Sequence, residues 1–252
     1  MNSLLRLQYH TSILLLVFFC SPLVAAEPYR MSYLEFPPYW YGTEIEGSNG
    51  LHYDLVETIF KNAKLDVTFV STPWARILSN VETGNSPFVN WAVAPNNDEL
   101  VWLPIPPTNI HLMIVSKSKP ETWPQSPEDF KGKRIASVRG WRLINLEPIR
   151  TDQDVVFMKS NSLENALRLL QVGRVDFVLA YKEPFSGLNE KVQKALFTHP
   201  VDSITAYALA IPKSHPEGEL LYKKVKASFD DLVERKVIDK NVFTELDYLT
   251  NK

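Results

Sequence analysis

The chain has 252 residues, of which 45% are hydrophobic and 22% charged. This is the composition of an ordinary globular protein, and it excludes disorder, collagen and coiled coil. Lys and Arg number 27 against 29 Asp and Glu, without a long run of like charge. Such a balance argues against a protein that tracks nucleic-acid phosphates, because those proteins are normally basic.

The first 26 residues have the pattern of a secretory signal peptide. Arg6 supplies the positive region, residues 13–20 form a short apolar run, and Val24-Ala25-Ala26 places small residues before the cleavage site. We therefore predict export to a bacterial periplasm and a mature chain that starts at Glu27. Cys20 is the only cysteine, so the mature chain would have none. A lipoprotein would use Cys20, but the two phenylalanines before it are not the small residues that lipidation prefers.

Strand-like and helix-like stretches alternate in the first half of the mature chain. In chain order we predict a strand at 29–36, a helix at 50–63, a strand at 66–71, a helix at 74–82 that Gly84 ends, and a strand at 88–94. The helical spacing assigns Leu51 and Leu78 to the apolar faces of their helices. This order is typical of a parallel sheet covered by helices.

A proline-rich passage at 104–107 precedes a second series of elements. We predict strands at 111–117, 134–138 and 155–158, a helix at 163–172 and a strand at 176–181. The chain then runs through 203–207 into 208–212, and a long helix follows at about 216–236. Asn161 and Glu164 resemble a capping box before the helix at 163–172, and Gly173 is expected to end that helix. Leu220 is expected to face inward from the last helix.

Sequence motifs for the commoner enzymatic chemistries do not occur. The sequence contains no nucleophile elbow, P-loop, dinucleotide-binding or zinc-protease motif. The histidines of the mature chain are scattered and lack metal-ligand spacing. We therefore predict neither a cofactor nor a metal site.

Six segments in a fixed order resemble the bacterial extracellular solute-binding proteins of family 3, the branch that includes amino-acid receptors of ABC importers. The segments are Phe36-Pro37-Pro38-Tyr39-Trp40, Gly50-Leu51-His52-Tyr53-Asp54-Leu55, Pro73-Trp74-Ala75-Arg76 with Gly84, Asp129-Phe130-Lys131-Gly132-Lys133-Arg134-Ile135, Gly173-Arg174-Val175-Asp176 and Ala210-Ile211-Pro212-Lys213. The third segment is similar to a subgroup with a Pro-Trp-x-Arg motif. The resemblance covers the whole mature chain.

The resemblance implies the α/β type II periplasmic binding protein fold, in which two βα lobes are joined by two hinge crossovers around a central cleft. Lobe 1 would contain residues 27–107 and 208–252, and lobe 2 would contain residues 112–202. The hinge would consist of residues 108–111 and 203–207. A ligand would bind between the lobes, which close over it.

Amino-acid receptors of this family hold the ligand carboxylate with an Arg and a Ser or Thr, and the ammonium with an Asp. The resemblance places Asn97, Trp141 and Tyr181 at these three positions. A zwitterion would lose its bidentate Arg and its countercharge together. We therefore expect a ligand other than an ordinary α-amino acid, unless Arg76, Arg139 or Arg142 replaces the missing Arg.

The predicted ligand-binding residues are aromatic, hydrogen-bonding or charged side chains near the expected cleft. They are Glu35, Tyr39, Trp40, Trp74, Arg76, Asn90, Trp91, Asn97, Arg139, Trp141, Arg142 and Tyr181. Flat rings with polar tips suit sugar-like, aromatic, peptide-like or cationic solutes.

Several of these residues also have a plainer interpretation. Trp74 would then pack a helix on the sheet, Arg76 would pair with Glu35 or another acid, and Arg139 and Arg142 would be solvated loop charges. Glu183 is a further candidate acid, although an exposed Glu is the commoner outcome.

Three functions fit the sequence. The first is a monomeric periplasmic receptor that captures a small polar or aromatic solute for a membrane importer. The second is a ligand-sensing accessory protein for a membrane sensor. The third is an enzyme on the same scaffold, since relatives include cyclohexadienyl dehydratases; it would need a general acid and base facing the substrate. A nucleic-acid partner is not expected.

Overall fold

The computed structural model describes residues 27–42, 47–92, 100–103 and 108–239, with side chains at all of them except 91, 92 and 100–102. The strands are β1 (Tyr29–Tyr33), β2 (Val67–Ser71), β3 (Phe88–Ala92), β4 (Leu100–Trp102), β5 (Thr108–Ser116), β6 (Arg134–Val138), β7 (Val156–Ser160), β8 (Phe177–Tyr181) and β9 (Phe197–Pro212). The helices are α1 (Leu51–Asn62), α2 (Trp74–Thr83), α3 (Leu163–Gln171), α4 (Lys182–Ser186), α5 (Glu190–Lys194) and α6 (Gly218–Glu234). Short 3-10 helices span Pro127–Phe130 and Ile144–Arg150.

The first half of the chain folds as the predicted βαβαβ unit. β1 lies between β2 and β3 and is parallel to both. α1 buries an apolar face that includes Val56 and Ile59. α2 begins at Trp74, directly after Pro73, and ends at Gly84, whose φ of 67° is left-handed. Glycine adopts this conformation without the steric cost of a Cβ, which confirms the predicted helix end.

The second half repeats this arrangement. β6 lies between β7 and β8 and is parallel to both, and α3 packs on this sheet. Gly173 follows α3 with a φ of 71°, as expected of a helix end. The predicted capping box at Asn161 and Glu164 is wrong by one residue. Ser162 is the N-cap, because its hydroxyl accepts a hydrogen bond from the Asn165 N–H at 3.2 Å.

Two long strands connect the halves. β5 and β9 pair antiparallel from Thr108 opposite Ala206 to Ser116 opposite Phe197. The predicted hinge segments, 108–111 and 203–207, therefore lie side by side in one ladder. Within the described residues, nine strands form a continuous sheet in the order β2-β1-β3-β9-β5-β8-β6-β7, with β4 paired to β9. The lobe boundaries given above remain predictions.

Three leucines that the helical patterns assign to buried faces are exposed instead. Leu51, Leu78 and Leu220 have 45%, 37% and 50% of their surface exposed. Leu220 precedes the fully buried Leu221 in α6, and consecutive residues of a helix point about 100° apart. Leu220 therefore lies beyond the edge of the buried face to which Leu221 belongs.

The predicted signal peptide (1–26), Asn97, the proline-rich passage (104–107) and the chain after residue 239 lie outside the described residues. Of the helices in the described ranges, none is long and apolar enough to cross a membrane.

Candidate ligand-binding cleft

A cleft lies between the two halves of the sheet and has two connected compartments. The inner compartment is a small space of about 50 Å³, and aromatic side chains form much of its wall. These are Phe36, Tyr39, Trp40, Trp74, Trp141, Tyr181 and Tyr207. The outer compartment is about 680 Å³ and more polar, with Glu35, Ser71, Thr72, Arg139, Asn161 and Glu164 in its wall. Leu34, Trp74, Gly140 and Trp141 line both compartments.

The segment after β1 carries three rings into the inner compartment. Phe36 N–H donates to the Trp40 carbonyl at 2.9 Å, and Tyr39 N–H donates back to the Phe36 carbonyl at 3.0 Å, across a cis Pro37–Pro38 bond. These bonds close a tight turn that places Phe36, Tyr39 and Trp40 together.

Asn90 on β3 fixes the start of this segment. Its Nδ2 donates to the Leu34 carbonyl at 3.1 Å, and its Oδ1 accepts from the Leu34 N–H at 2.9 Å. Asn90 lines the inner compartment and is buried. Since both ends of its amide already bond the backbone, its first role in this structure is to position the Phe36 segment.

The opposite wall is the turn between β6 and the 3-10 helix Ile144–Arg150. Arg139 N–H donates to the Ser160 carbonyl at 2.8 Å, and Trp141 N–H donates to the Val138 carbonyl at 3.2 Å. The Arg150 guanidinium donates to the Trp141 carbonyl and pairs with Glu147. Tyr181, at the end of β8, donates its hydroxyl to the Arg142 carbonyl at 2.8 Å.

The two walls touch each other through aromatic rings. The Phe36 ring meets Trp141 edge-on at 5.8 Å between centroids and Tyr181 at 5.3 Å. Gly140 approaches Trp74 so closely that a Cβ added to this glycine would lie 2.8 Å from the Trp74 Cβ. The cleft is therefore closed on its own side chains, which explains why the inner compartment is small.

Burial determines the charge of the inner compartment. Burial lowers the pKa of His52 to about 3, so this imidazole is neutral at physiological pH. Its Nε2 lies 3.1 Å from the Thr108 hydroxyl. Burial also raises the pKa of Tyr39 and Tyr181 well above their usual range, so both phenols keep their protons. Among the described lining residues, Arg142 is the one that carries a full charge.

The structure brings seven of the twelve predicted site residues to the inner compartment. They are Tyr39, Trp40, Trp74, Asn90, Trp141, Arg142 and Tyr181. Glu35 and Arg139 line the outer compartment, where Glu35 accepts a hydrogen bond from the Ser71 hydroxyl at 2.8 Å.

The remaining three predicted residues are not among the described residues that line the cleft. Arg76 is exposed and lines neither compartment. Among the described residues, it forms no ion pair with Glu35. The Trp91 side chain and the whole of Asn97 lie outside the description, so their assignment stays a prediction.

The expectation of an exposed Glu183 is wrong. The Glu183 side chain, in α4, is fully buried. Its Oε1 accepts a hydrogen bond from the His111 backbone N–H at 3.1 Å and lies 2.9 Å from His111 Nδ1. The partner is 72 positions away in sequence, so a local pattern does not reveal it. Glu183 thus ties α4 to strand β5 and lines neither compartment of the cleft.

Seven residues that line the inner compartment were not predicted, and three of them carry rings: Phe36, His52 and Tyr207. Phe36 stands in the same turn as Tyr39 and Trp40, and that proximity was a usable signal. Tyr207 belongs to the predicted hinge, and His52 stacks on Tyr39 at 4.5 Å between rings.

The described residues contain no group of three or more His, Cys, Asp or Glu that could hold a metal ion.

Comparison with known proteins shows which family the sequence matches. The sequence model of the bacterial extracellular solute-binding proteins, family 3, matches residues 31–242. No curated protein sequence matches the chain.

Solved structures of such proteins share the fold. A crystal structure of the substrate-binding protein of an amino acid ABC transporter superposes with a TM-score of 0.63 at 17% identity, covering 83% of this chain and 95% of that one. Holo ArgBP from T. maritima gives 0.62 at 17% identity, covering 83% and 96%. The GluR0 ligand-binding core in complex with L-glutamate gives 0.61 at 16% identity, covering 84% and 95%. These likenesses confirm the predicted type II periplasmic binding protein fold with its two lobes.

Proposed function

The chain belongs to the bacterial extracellular solute-binding proteins of family 3, and we propose that it is a periplasmic receptor that closes its aromatic cleft around one small solute. The observation that carries this proposal is the inner compartment, where rings from both walls converge on one space. Solute-binding clefts are mostly apolar with a few placed polar groups, and this compartment has that composition.

We further propose that the ligand is not an ordinary α-amino acid. Tyr181 and Trp141 occupy the positions that the resemblance assigns to the ammonium-binding Asp and the carboxylate-binding Ser or Thr. Both are buried, and the Tyr181 hydroxyl is engaged with the Arg142 carbonyl. An ammonium group brought into this space would meet no carboxylate among the described lining residues.

Delivery to an ABC-type importer is the proposed use of the captured solute. The positions of the carboxylates bear on the enzymatic alternative. A dehydratase needs an acid and a base at the substrate, whereas Glu183 is held by His111 and the described part of the inner compartment has no carboxylate. These observations favour capture over turnover.

A thermal-shift screen of the purified protein tests the proposal. The panel contains amino acids, polyamines, short peptides, sugars and aromatic acids. A solute at 100 times its Kd should stabilise the protein by about 2.7 kcal/mol, which raises Tm by roughly 5–10 °C for a chain of this size.

The Trp74→Ala variant then locates the bound solute. Trp74 lines both compartments and is half-buried, so its loss should weaken binding while changing the fold little. Trp123→Ala is the matched control, because Trp123 is also half-buried but stacks on His199 away from the cleft. Equal affinities of the two variants would remove Trp74 from the site, and a panel without a single hit would contradict the receptor proposal.

A further inference from the structure

Two residues that line the inner compartment, Trp40 and Arg142, each carry a polar group without a hydrogen-bond partner among the described residues. The first is the indole N–H of Trp40. Trp40 is 1% exposed, and its Nε1 is buried without a hydrogen-bond acceptor among the described residues. A buried donor without a partner costs about 1–3 kcal/mol, so such groups usually have a partner in the working state of a protein.

The second group is the guanidinium of Arg142. Arg142 is half-buried and lines the inner compartment, and its backbone carbonyl accepts a hydrogen bond from the Tyr181 hydroxyl. The ion pairs and side-chain hydrogen bonds of the described residues do not include its guanidinium. Arg150 on the same wall differs, because it pairs with Glu147, donates to the Trp141 carbonyl and lies over the Phe157 ring at 4.9 Å.

The Arg142 guanidinium and the Trp40 indole N–H favour a ligand with a negative charge. The Arg142 charge acts on the buried Tyr181 hydroxyl, where it opposes the effect of burial on the pKa of that phenol. His52 is neutral, so it adds no second charge. A cation would be repelled by Arg142, whereas an anionic oxygen could accept from both Arg142 and Trp40.

The rest of the wall selects the body of the occupant. Trp74 and Trp141 stand where the two compartments join, and Phe36 already places its ring against Trp141 and Tyr181. A phenyl ring of a ligand could take up the same edge-on contacts once the cleft opens. The compartment of about 50 Å³ is smaller than such a ring, so entry requires that Phe36 or the walls move.

From these groups we propose that the solute is a small aromatic monocarboxylate, bound with its carboxylate between Arg142 and the Trp40 indole N–H and its ring between Trp74 and Trp141. This inference rests on the proposed receptor function and names its ligand class. Arg142 and the Trp40 N–H can together bind one carboxylate. The ring of the ligand would then point toward the outer compartment.

Isothermal titration with four matched probes tests the ligand class. The probes are 3-phenylpropionate, the neutral 3-phenylpropionamide, the cationic 2-phenylethylamine and the zwitterion L-phenylalanine. Benzoate and phenylacetate test the length of the acid. We expect at least one of the three acids to bind, about tenfold or more tighter than the amide, because hydrogen bonds to a charged group are roughly twice as strong as neutral ones. The amine should not bind, and phenylalanine should bind more weakly than the acid.

Two variants test the named residues. Arg142→Gln should weaken binding of the acid by about 10- to 100-fold and leave the amide nearly unchanged. Arg174→Gln is the control, since Arg174 is exposed and lines neither compartment, and it should keep the wild-type affinity and the preference for the acid. Trp40→Phe keeps a ring and removes the N–H, so it should weaken the acid several-fold. Unchanged Tm values exclude misfolding as the cause.

The outcomes separate this inference from the proposed function. If none of the acids binds, or if the amide or amine binds more tightly than the acid, the inference is overturned. It is also overturned if the two Arg variants bind the acid equally. Binding of another solute that Trp74→Ala weakens would leave the receptor proposal standing, whereas the absence of any ligand in the wider screen would contradict both.

Discussion

Replacing Gly140 with Ala should separate closure of the cleft from stability of the fold. Gly140 has a φ of 88°, and an added Cβ would lie 2.8 Å from the Trp74 Cβ on the opposite wall. The backbone strain exists whether the cleft is open or closed. It should cost about 1–2 kcal/mol of folding free energy, or roughly 2–8 °C in Tm.

The contact with Trp74 acts only when the cleft is closed. Ordinary contacts begin at 3.4 Å, so the walls must separate by several tenths of an ångström to admit the methyl group. Overpacking of this kind costs about 1–3 kcal/mol, which corresponds to roughly 5- to 150-fold in affinity. The Kd is measured by titration with the solute that raises Tm most in the screen.

Gly132→Ala provides the control for this variant. Gly132 has a φ of 72°, and an added Cβ would meet nothing within 4 Å. It should lose a similar amount of Tm and keep the wild-type Kd. If Gly140→Ala also keeps the wild-type Kd, the contact between Gly140 and Trp74 does not belong to the ligand-bound state, and our description of closure is wrong.

Three further variants test other parts of the cleft. The unfolded His52 binds a proton near pH 6.5 and the folded one only near pH 3, so lowering the pH between these values should reduce the free energy of unfolding by up to about 1.4 kcal/mol per pH unit. Urea midpoints at pH 7, 5 and 4 should therefore fall more steeply for the wild type than for His52→Gln, and equal slopes would contradict a buried neutral imidazole. Phe36→Ala loses two edge-on ring contacts across the cleft, worth about 0.5–1.5 kcal/mol each. The ligand-free protein should therefore open and show a larger radius of gyration in small-angle scattering. An unchanged radius would contradict a role of Phe36 in closure. Tyr181→Phe leaves the Arg142 carbonyl without its donor and should cost about 1–2 kcal/mol, or roughly 2–8 °C in a thermal melt, whereas an unchanged Tm would mean that water replaces the hydroxyl.

The order of strands and helices was predictable because it depends on local signals. Gly84 and Gly173 end their helices as expected, since a left-handed residue is needed there and glycine supplies it at little cost. The start of α3 at Leu163 was predicted correctly, but its N-cap was assigned to Asn161 instead of Ser162. Both residue types are good caps, and the hydrogen bond from the Asn165 N–H identifies Ser162. Leu220 was wrongly predicted to be buried, because an apolar residue next to the buried face of a helix can still point toward solvent.

The candidate site was predictable in its residue types and less so in their roles. Trp74, Trp141 and Tyr181 came from the family resemblance, and the structure places all three on one compartment. The role of Asn90 in holding Leu34 depends on a contact between residues 56 positions apart. Glu183 and His111 form a pair across 72 positions, so neither burial nor partner could be inferred from neighbouring residues.

The distribution of indole rings makes the protein a reporter of its own occupancy. Three of its six tryptophans, Trp40, Trp74 and Trp141, line the inner compartment. Indole emission shifts to longer wavelength when the ring becomes wetter, and opening or filling the cleft changes the surroundings of all three rings together. Ligand binding and domain motion should therefore be visible in the emission spectrum of the unlabelled protein, with Trp123 as a constant background away from the cleft.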